Sequence, residues 1–244
     1  MRQIRFLIYF LTLSGVFLFN FVWADTTLDA DLLHEYKKVL SELSSEPEDV
    51  ETLREVGKLY YFIGEVSHDR SAIKKAISIF EDVLKKESDD DELNVYLGSA
   101  YTIKARDFPL RWLANITPLG FVRLYYVRRG VGLMDDAVKR DEMNPITRLI
   151  RGITRVSLPK AFLSFKEGIE DLDLVLSWVE DPTLNKKYSE IVTDKAFIAD
   201  ASYRIGEVYL QEGSREKAFT LIKKTASLIP DSPMGRAALR KLNE

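Results

Sequence analysis

The 244-residue chain contains no cysteine and only two histidines. Without cysteine it can form no disulfide bond, no thiol nucleophile and no cysteine-ligated metal site. It also lacks the cysteine that is acylated at the N-terminus of a bacterial lipoprotein. Glycine and proline are sparse, with 12 and 8 residues, and they are spread along the chain as turn and helix-end signals rather than clustered.

Residues typical of catalytic sites are equally scarce. His34 and His68 lie far apart, and neither has metal-ligand spacing or stands near a serine–aspartate motif. No glycine-rich phosphate-binding loop is present. The acidic run at residues 89–91 lacks the later glycine and glutamate of a calcium-binding loop, and its position favours a helix start. The sequence therefore predicts a protein that is not an enzyme and holds no cofactor or metal ion.

The first 24 residues have the composition of a secretory signal peptide. Arg2 and Arg5 flank the start of an apolar, uncharged run at residues 6–23, and a cleavage point follows Ala24. The alternative is an uncleaved inner-membrane anchor, because about 18 apolar residues can just span a bilayer. Both interpretations place residues from Asp25 onward outside the cytoplasm, in the periplasm or secreted. Cleavage would change the formal charge from −3 to −5, which argues against nucleic-acid binding.

Apolar residues recur with helical spacing through the rest of the chain, and no segment alternates long enough to be a strand. Four helical pairs are predicted, at 49–88, 91–141, 145–180 and 199–232. One helix is expected before them and one after. We expect a long turn from Gly64 to Ser71 in the first pair, and a linker or short helix at residues 186–193. Asn144 and Pro145 have the order of a helix cap and first helical residue. The predicted fold class is all-α.

The last pair carries the most specific pattern. The residues of this pattern, in chain order, are Ile205, Gly206, Tyr209, Ala218, Ile222 and Pro230. This spacing resembles the tetratricopeptide repeat (TPR), although Ser202 stands where the family usually has tryptophan. In such a pair the glycine lets two helices approach closely, and Gly213 suits the sharp turn between them. One pair cannot bury its apolar faces alone, so neighbouring pairs are expected.

The resemblance implies that residues 25–244 form one TPR-like solenoid of helical hairpins, with an apolar insertion in the second repeat. In TPR proteins the first helix of each pair lines a groove that binds partner proteins. The resemblance places these side chains in that groove: Arg54, Lys58, Tyr61, Tyr96, Tyr203, Arg204 and Glu207. The implied partner is a protein or peptide of the cell envelope.

The second pair is about 17 residues longer than the usual 34-residue repeat. The excess lies around residues 107–120, and the apolar character continues to residue 127. A stretch of this kind has to be covered by the domain itself, by a partner or by lipid. It either folds back onto the inner side of the solenoid, or it forms an apolar lip for a partner helix, an acyl chain or a membrane surface.

Basic residues are concentrated in the same region. Residues 104–160 contain twelve basic and five acidic residues. The basic side chains either pair with acidic neighbours or form a docking patch for an acidic partner, an anionic lipid or an anionic membrane surface. With the aromatic residues beside them, the candidate patch comprises Arg111, Trp112, Arg123, Tyr126, Arg128, Arg129, Arg148, Arg151 and Arg155.

Together these features favour an exported, non-enzymatic TPR adaptor or scaffold that mediates protein–protein interaction in the cell envelope. The alternative is a periplasmic small-molecule or lipid carrier that uses the apolar stretch at residues 108–127. A lipid or solute that stays bound to the purified protein would distinguish the carrier from the adaptor.

Overall fold

The computed structural model describes residues 26–43, 49–108, 118–159, 162 and 164–243. Within these ranges the regular structure is helical throughout, which confirms the predicted all-α class. The α-helices are α1 (Thr26–Leu43), α2 (Val50–Ser67), α3 (Arg70–Leu84), α4 (Asp91–Arg106), α5 (Leu119–Arg140), α6 (Pro145–Val156), α7 (Phe165–Glu180), α8 (Ser189–Thr193), α9 (Lys195–Gln211), α10 (Arg215–Leu228) and α11 (Pro233–Leu242).

Two sequence predictions lie outside the described residues. The predicted signal sequence at residues 1–24 is one, and the central part of the apolar insertion at residues 109–117 is the other. Among the helices that the structure describes, none combines the length and apolar character needed to cross a bilayer.

Short polar side chains set the helix starts. Asp49 accepts a hydrogen bond from the Thr52 amide at 2.8 Å at the start of α2, and Asp90 accepts one from the Leu93 amide at 2.9 Å at the start of α4. Asn144 caps α6 with Pro145 in its first turn, as predicted. Each cap satisfies backbone amides that have no partner within their own helix.

Consecutive helices pack as four close pairs, α2 with α3, α4 with α5, α6 with α7, and α9 with α10. The first helix of each pair carries a glycine at the contact. A β-carbon added to Gly57, Gly98, Gly152 or Gly206 would lie 2.6 to 2.9 Å from an atom of the partner helix. Real β-carbons do not approach so closely, so these four glycines set the spacing within the pairs.

The turn in the first pair is shorter than expected. Helix α2 continues through Gly64 to Ser67, and Asp69 caps α3 through the Ser71 amide at 2.7 Å. His68 makes the turn with a left-handed backbone, at φ 55°. Gly64 stays helical because it packs against α3, where an added β-carbon would lie 2.5 Å from Ile73 Cγ1. The predicted turn from Gly64 to Ser71 is therefore wrong.

The expected insertion is in part an extension of a helix. Helix α5 has 22 residues, against 15 in α3, 16 in α7 and 14 in α10. Its early turns contain residues 119–127, which the sequence assigned to the apolar stretch. Tyr126 stacks on Tyr101 of α4, with ring centroids 5.8 Å apart, and Val127 is buried. At this end of the stretch, Tyr126 and Val127 therefore pack on their own domain, whereas Phe121 and Tyr125 are exposed.

Residues 182–193 are packed structure rather than a free linker. A 3-10 helix, Pro182–Tyr188, leads into α8, and both contact α7. Asn185 is fully buried and donates a hydrogen bond to the Met143 carbonyl oxygen at 2.7 Å, while Val192 is fully buried in the core beside Trp178. This segment fills the space between the third and fourth pairs.

The first helices of the four pairs share one side of the molecule, which we call the inner face. Helix α2 contacts α4, α4 contacts α6, and α6 contacts α9. Helix α1 contacts both α2 and α11, so the first and last helices that the structure describes lie against each other. This arrangement brings α9 close to α2, although the two helices are more than a hundred residues apart in sequence.

Candidate functional site

A cavity of about 130 Å³ lies on the inner face, between α2, α4, α6 and α9. Its wall is mainly apolar, with aromatic rings from α2, α4 and α9 and aliphatic side chains from α6. The aromatic residues are Tyr61, Phe62, Tyr96 and Phe197, and the aliphatic residues are Ile146, Leu149, Ile150 and Ile153. Because one helix from each pair contributes, the cavity exists only when all four pairs are assembled.

The aromatic residues pack edge to face around Tyr61. Its ring centroid lies 5.3 Å from those of both Phe62 and Tyr96. The Tyr61 hydroxyl and the Ser99 hydroxyl are 3.0 Å apart, and Ser99 in turn lies 3.0 Å from the Thr154 hydroxyl on α6. Burial raises the pKa of both Tyr61 and Tyr96. Both tyrosines therefore remain neutral. The hydrogen bonds from Tyr61 through Ser99 to Thr154 link α2, α4 and α6.

Arg204 closes one edge of the cavity. Its Nε donates to Asp200 Oδ1 at 2.8 Å, and its Nη1 lies 3.3 Å from Glu65 Oε2 on α2. The guanidinium also lies 5.6 Å from the centroid of the Phe62 ring. Burial alone would lower the pKa of Arg204, but the two carboxylates raise it well above its ordinary value. One cation therefore faces two carboxylates, which leaves this edge with a net negative charge.

Helix α1 reaches the same edge through Tyr36. The Tyr36 ring stacks on Phe62, with centroids 5.4 Å apart and planes 21° from parallel. Burial raises the pKa of Tyr36 to about 12, with Arg204 acting in the opposite direction and Asp200 adding to the rise. An aromatic side chain carried on a helix can thus pack against the inner face.

The structure brings three of the seven groove residues expected from the sequence to the cavity: Tyr61, Tyr96 and Arg204. Lys58 lies nearby, with its Nζ 2.7 Å from Glu92 Oε1 and 5.7 Å from the centroid of the Tyr96 ring. Arg54 does not line the cavity and pairs with Asp90, the N-cap residue of α4, with its Nη2 2.5 Å from Asp90 Oδ2.

Tyr203 and Glu207 face another way. Tyr203 is buried in a cluster with Ile222 and Ala237, between α9, α10 and α11. Glu207 accepts two hydrogen bonds from Lys241 of α11, at 2.6 and 2.8 Å. These two side chains contact the C-terminal helix and do not line the cavity, and a partner-binding role for them stays a prediction.

Several lining residues were missed by the sequence analysis. Phe197 and Asp200 are two of them, and they precede the predicted Arg204 by seven and four residues, which places all three on one face of α9. That spacing was a usable signal. No such sequence signal pointed to Phe62 and Glu65. The TPR pattern assigns their neighbour Tyr61 to the groove and does not show that α9 will approach α2.

The nine residues of the expected basic and apolar patch fall into three groups. Arg111 and Trp112 lie outside the described residues. Arg123, Tyr126, Arg128 and Arg129 lie on α5. Arg148, Arg151 and Arg155 lie on α6, where they form what we call the arginine network with Asp135 of α5 and Asp171 of α7.

The arginine network is largely buried. Asp171, whose side chain is 1% exposed, accepts from Arg148 Nη1 at 2.7 Å and from Arg151 Nε at 2.7 Å. Arg155 Nη2 donates to Asp135 Oδ1 at 2.5 Å and also pairs with Glu167. Burial alone would lower the pKa of Arg151, but Asp171 and then Asp135 raise it. These arginines pair with acidic neighbours, and a docking role for them stays a prediction.

The α5 residues are more accessible. Arg128 is exposed and forms no ion pair or hydrogen bond with the part of the chain that the structure describes. Arg129 lies 3.1 Å from Glu81 Oε1 and 4.4 Å from the centroid of the Tyr101 ring. Arg123 donates to the Ala105 carbonyl oxygen at 3.2 Å. The single basic patch expected from the sequence is therefore divided between a buried network and an exposed surface.

Among the described residues, no group of three or more His, Asp or Glu side chains could hold a metal ion. His68 Nδ1 lies 3.1 Å from Asp107 Oδ1 at the surface, and His34 is exposed on α1. Comparison with models of known protein families finds none that matches this chain, and comparison with curated proteins finds no match either. The site must therefore be interpreted from its own geometry.

Proposed function

We propose that this chain is an exported, non-enzymatic adaptor of the TPR type, which binds a segment of a partner protein in the cell envelope on its inner face. The observation that carries this proposal is the inner cavity, which the first helices of all four pairs build together. A surface assembled in this way is typical of helical-repeat proteins, whose stacked units form one continuous concave binding face.

The size of the cavity favours a protein side chain as its occupant. Sites for small organic ligands usually enclose about 300–1,000 Å³. The inner cavity measures about 130 Å³, close to the roughly 150 Å³ that accommodates one benzene ring in a protein core. One aromatic or branched aliphatic side chain would fill it. A lipid or a typical metabolite would not fit without rearrangement of the four helices.

The surroundings of the cavity also suit a peptide. Apolar walls provide burial for an anchor side chain, and the carboxylates of Glu65 and Asp200 provide acceptors at the rim. Tyr36 of α1 already packs on Phe62 at this rim, so the inner face accommodates a helix-borne aromatic residue. A partner helix that presents one apolar anchor beside a basic residue would match both the cavity and its net negative edge.

The TPR assignment is supported by the four pair contacts. Each pair has a glycine in its first helix at the point of closest approach, and Gly206 approaches Ile222 and Ala218, the residues that the repeat pattern names. Gly213 adopts φ 80° in the turn between α9 and α10, a backbone conformation that residues other than glycine rarely adopt.

Export to the periplasm, with or without cleavage after Ala24, rests on the sequence pattern of residues 1–24.

Photo-crosslinking in cells tests this proposal. The photoreactive analogue p-benzoylphenylalanine would replace Phe197 in the cavity and, in a separate control, Phe219, which is 36% exposed on α10. Both positions are already phenylalanine, so the replacement is conservative. We expect a discrete adduct with an envelope protein from position 197 and none from position 219. No adduct from 197, or the same adducts from both positions, would overturn the proposal.

Binding to the partner found in this way gives a quantitative test. Phe197→Ala should weaken the affinity roughly tenfold, because a well-packed aromatic contact contributes more than 1 kcal/mol. Phe219→Ala should change the affinity by less than about twofold. Circular dichroism and thermal unfolding of both variants would show whether the fold is retained.

The carrier remains the second candidate, because exposed apolar residues of α5 belong to the stretch at residues 108–127. Native mass spectrometry of the detergent-purified chain distinguishes the two functions. A lipid or solute bound at equal stoichiometry, with no protein adduct from position 197, would favour the carrier.

A further inference from the structure

The first three turns of α5 expose large apolar side chains. Phe121 is 75% exposed, Tyr125 is 55% exposed and Val122 is 39% exposed. Among the residues that the structure describes, only Leu184, Phe219 and Leu239 are also large, apolar and exposed, and they lie apart on three other segments. A cluster of exposed aromatic and aliphatic residues on one helix is unusual for a surface in contact with water alone.

This exposure follows from how α5 packs. Gly130, Met134 and Ala137 face α4 and are buried, and they bind α5 to its partner helix. Phe121, Tyr125 and Arg128 follow one another at helical spacings of four and three residues, so they share a face. We call Phe121, Val122, Tyr125, Arg128 and Arg129 together the exposed α5 face.

The charge around this face is basic. Arg128 is exposed and forms no ion pair with the described part of the chain. Lys104 lies 4.2 Å from the centroid of the Tyr126 ring, which itself packs against Tyr125. Among the described residues, the carboxylate that pairs with this face is that of Glu81, which accepts hydrogen bonds from Tyr101 and Arg129. Basic charge therefore remains uncompensated beside the exposed aromatic rings.

We propose that the exposed α5 face docks the protein onto an anionic bilayer surface. Aromatic and aliphatic side chains enter the boundary between headgroups and acyl chains, while arginines on the same helix contact anionic headgroups. Two copies of this chain are a poorer match, because a symmetric contact through this face would bring Arg128 and its counterpart together. No residue of α5 lines the inner cavity, so membrane docking and partner binding use separate surfaces.

The absence of cysteine allows a site-specific test on the full-length chain. Val122→Cys and Leu239→Cys, 39% and 44% exposed as the native residues, would each carry an environment-sensitive nitrobenzoxadiazole dye. Vesicles would contain phosphatidylcholine alone or with about 30% phosphatidylglycerol, with brominated acyl chains as quenchers. We expect a blue shift and quenching at position 122 with the anionic vesicles, a much weaker response with neutral vesicles, and none at position 239.

Two variants in the Val122→Cys background separate the contribution of the apolar side chains to vesicle binding from that of Arg128. Phe121→Ala with Tyr125→Ala should weaken vesicle binding roughly tenfold or more, because both side chains lose their apolar burial. Arg128→Gln should weaken it about fivefold with anionic vesicles. Lys223→Gln, at an exposed position on α10, serves as the matched control and should have no effect.

Because the dye reports contact at its own position, attachment of the chain through its N-terminal apolar run would not mimic the expected result. Equal quenching at positions 122 and 239, or no response at 122, would overturn membrane docking. A blue shift at 122 that grows with protein concentration in the absence of vesicles would indicate self-association and would also overturn it. None of these outcomes bears on adduct formation at Phe197, so the two proposals fail independently.

Discussion

Two groups of arginines from the same basic stretch have opposite environments. On α6, Arg148 and Arg151 converge on Asp171, and Arg155 joins Asp135, with the side chains of all three arginines between 9% and 17% exposed. On α5, Arg128 is exposed and without an ion pair among the described residues, and Arg129 is 41% exposed. The residue type is the same in both groups, and both groups lie in the stretch that is rich in basic residues.

The difference comes from what lies across from each helix. Helix α6 packs between α5 and α7, and both neighbours present a carboxylate at the contact. A buried carboxylate with two arginines is stabilised by several charge-assisted hydrogen bonds, so these arginines act within the fold. Among the described residues, Arg128 on the exposed side of α5 has no carboxylate opposite it and stays accessible. Only the tertiary structure separates these two environments.

The largest expected effect comes from breaking the arginine network. Asp171→Asn removes the charge that Arg148 and Arg151 share, and it leaves two largely buried cations without their main partner. We expect a loss of about 3 kcal/mol in the free energy of unfolding, measured by urea denaturation. Asp136→Asn, at an exposed position on α5, is the matched control and should change it by less than about 0.5 kcal/mol. Equal effects at the two positions would show that the network contributes little.

A smaller change in stability is expected from substitutions on α5, and its sign should differ between the buried and the exposed side of the helix. A β-carbon on Gly130 would collide with the carbonyl oxygen of Gly98, whereas one on Gly132 would meet no atom within 4 Å. Gly130→Ala should therefore destabilise the protein by about 2 kcal/mol, because α4 and α5 must move apart. Gly132→Ala should stabilise it by about 0.5–1 kcal/mol, because alanine favours the helix. Thermal unfolding should show shifts of opposite sign, and shifts of the same sign would contradict the close contact.

The smallest change in the free energy of unfolding is expected from breaking an ion pair whose basic side chain is exposed. Asp141 accepts a hydrogen bond from Lys187 at 2.6 Å and another from the Tyr188 hydroxyl. Burial alone would raise the pKa of Asp141, but these two hydrogen bonds lower it below its ordinary 3.8. Asp141→Asn should lower the free energy of unfolding by about 1 kcal/mol or less at neutral pH.

The sign of the pH dependence follows from the lowered pKa. The contribution of Asp141 is complete above about pH 4 and disappears as the pH falls through its folded-state pKa. The difference in unfolding free energy between the parent and Asp141→Asn should therefore be constant from pH 5 to 7 and shrink toward pH 2. A difference that grows as the pH falls would contradict the assigned hydrogen bonds.

Much of the helical arrangement could be predicted locally. The order Asn144–Pro145 places the start of α6, and Gly206 with Ala218 identifies a close helical pair, because both signals act within one helix or one hairpin. The turn from Gly64 to Ser71 was misplaced for an instructive reason. A glycine favours a turn by its conformational freedom, but Gly64 is needed for its small size inside a helix contact.

The candidate site was predicted less completely. Tyr61, Tyr96 and Arg204 were identified through the repeat pattern, whereas Phe197 and Asp200 were not. Tyr203 and Glu207 were placed in the groove, yet they contact α10 and α11. A repeat pattern shows which helix faces its own partner. It does not show where the final helix docks or how far the array curves.

By itself, the sequence determined the helical class, the starts of α2, α4 and α6 and the glycine at which α9 meets α10. These properties depend on backbone hydrogen bonding, capping and side-chain size over a few turns, so neighbouring residues suffice to specify them. Only the tertiary structure decided which arginines are buried and which are exposed, and that α9 meets α2 to complete the inner cavity. Those outcomes depend on contacts such as that between Arg204 and Glu65, 139 residues apart, which arise only when all the pairs are assembled.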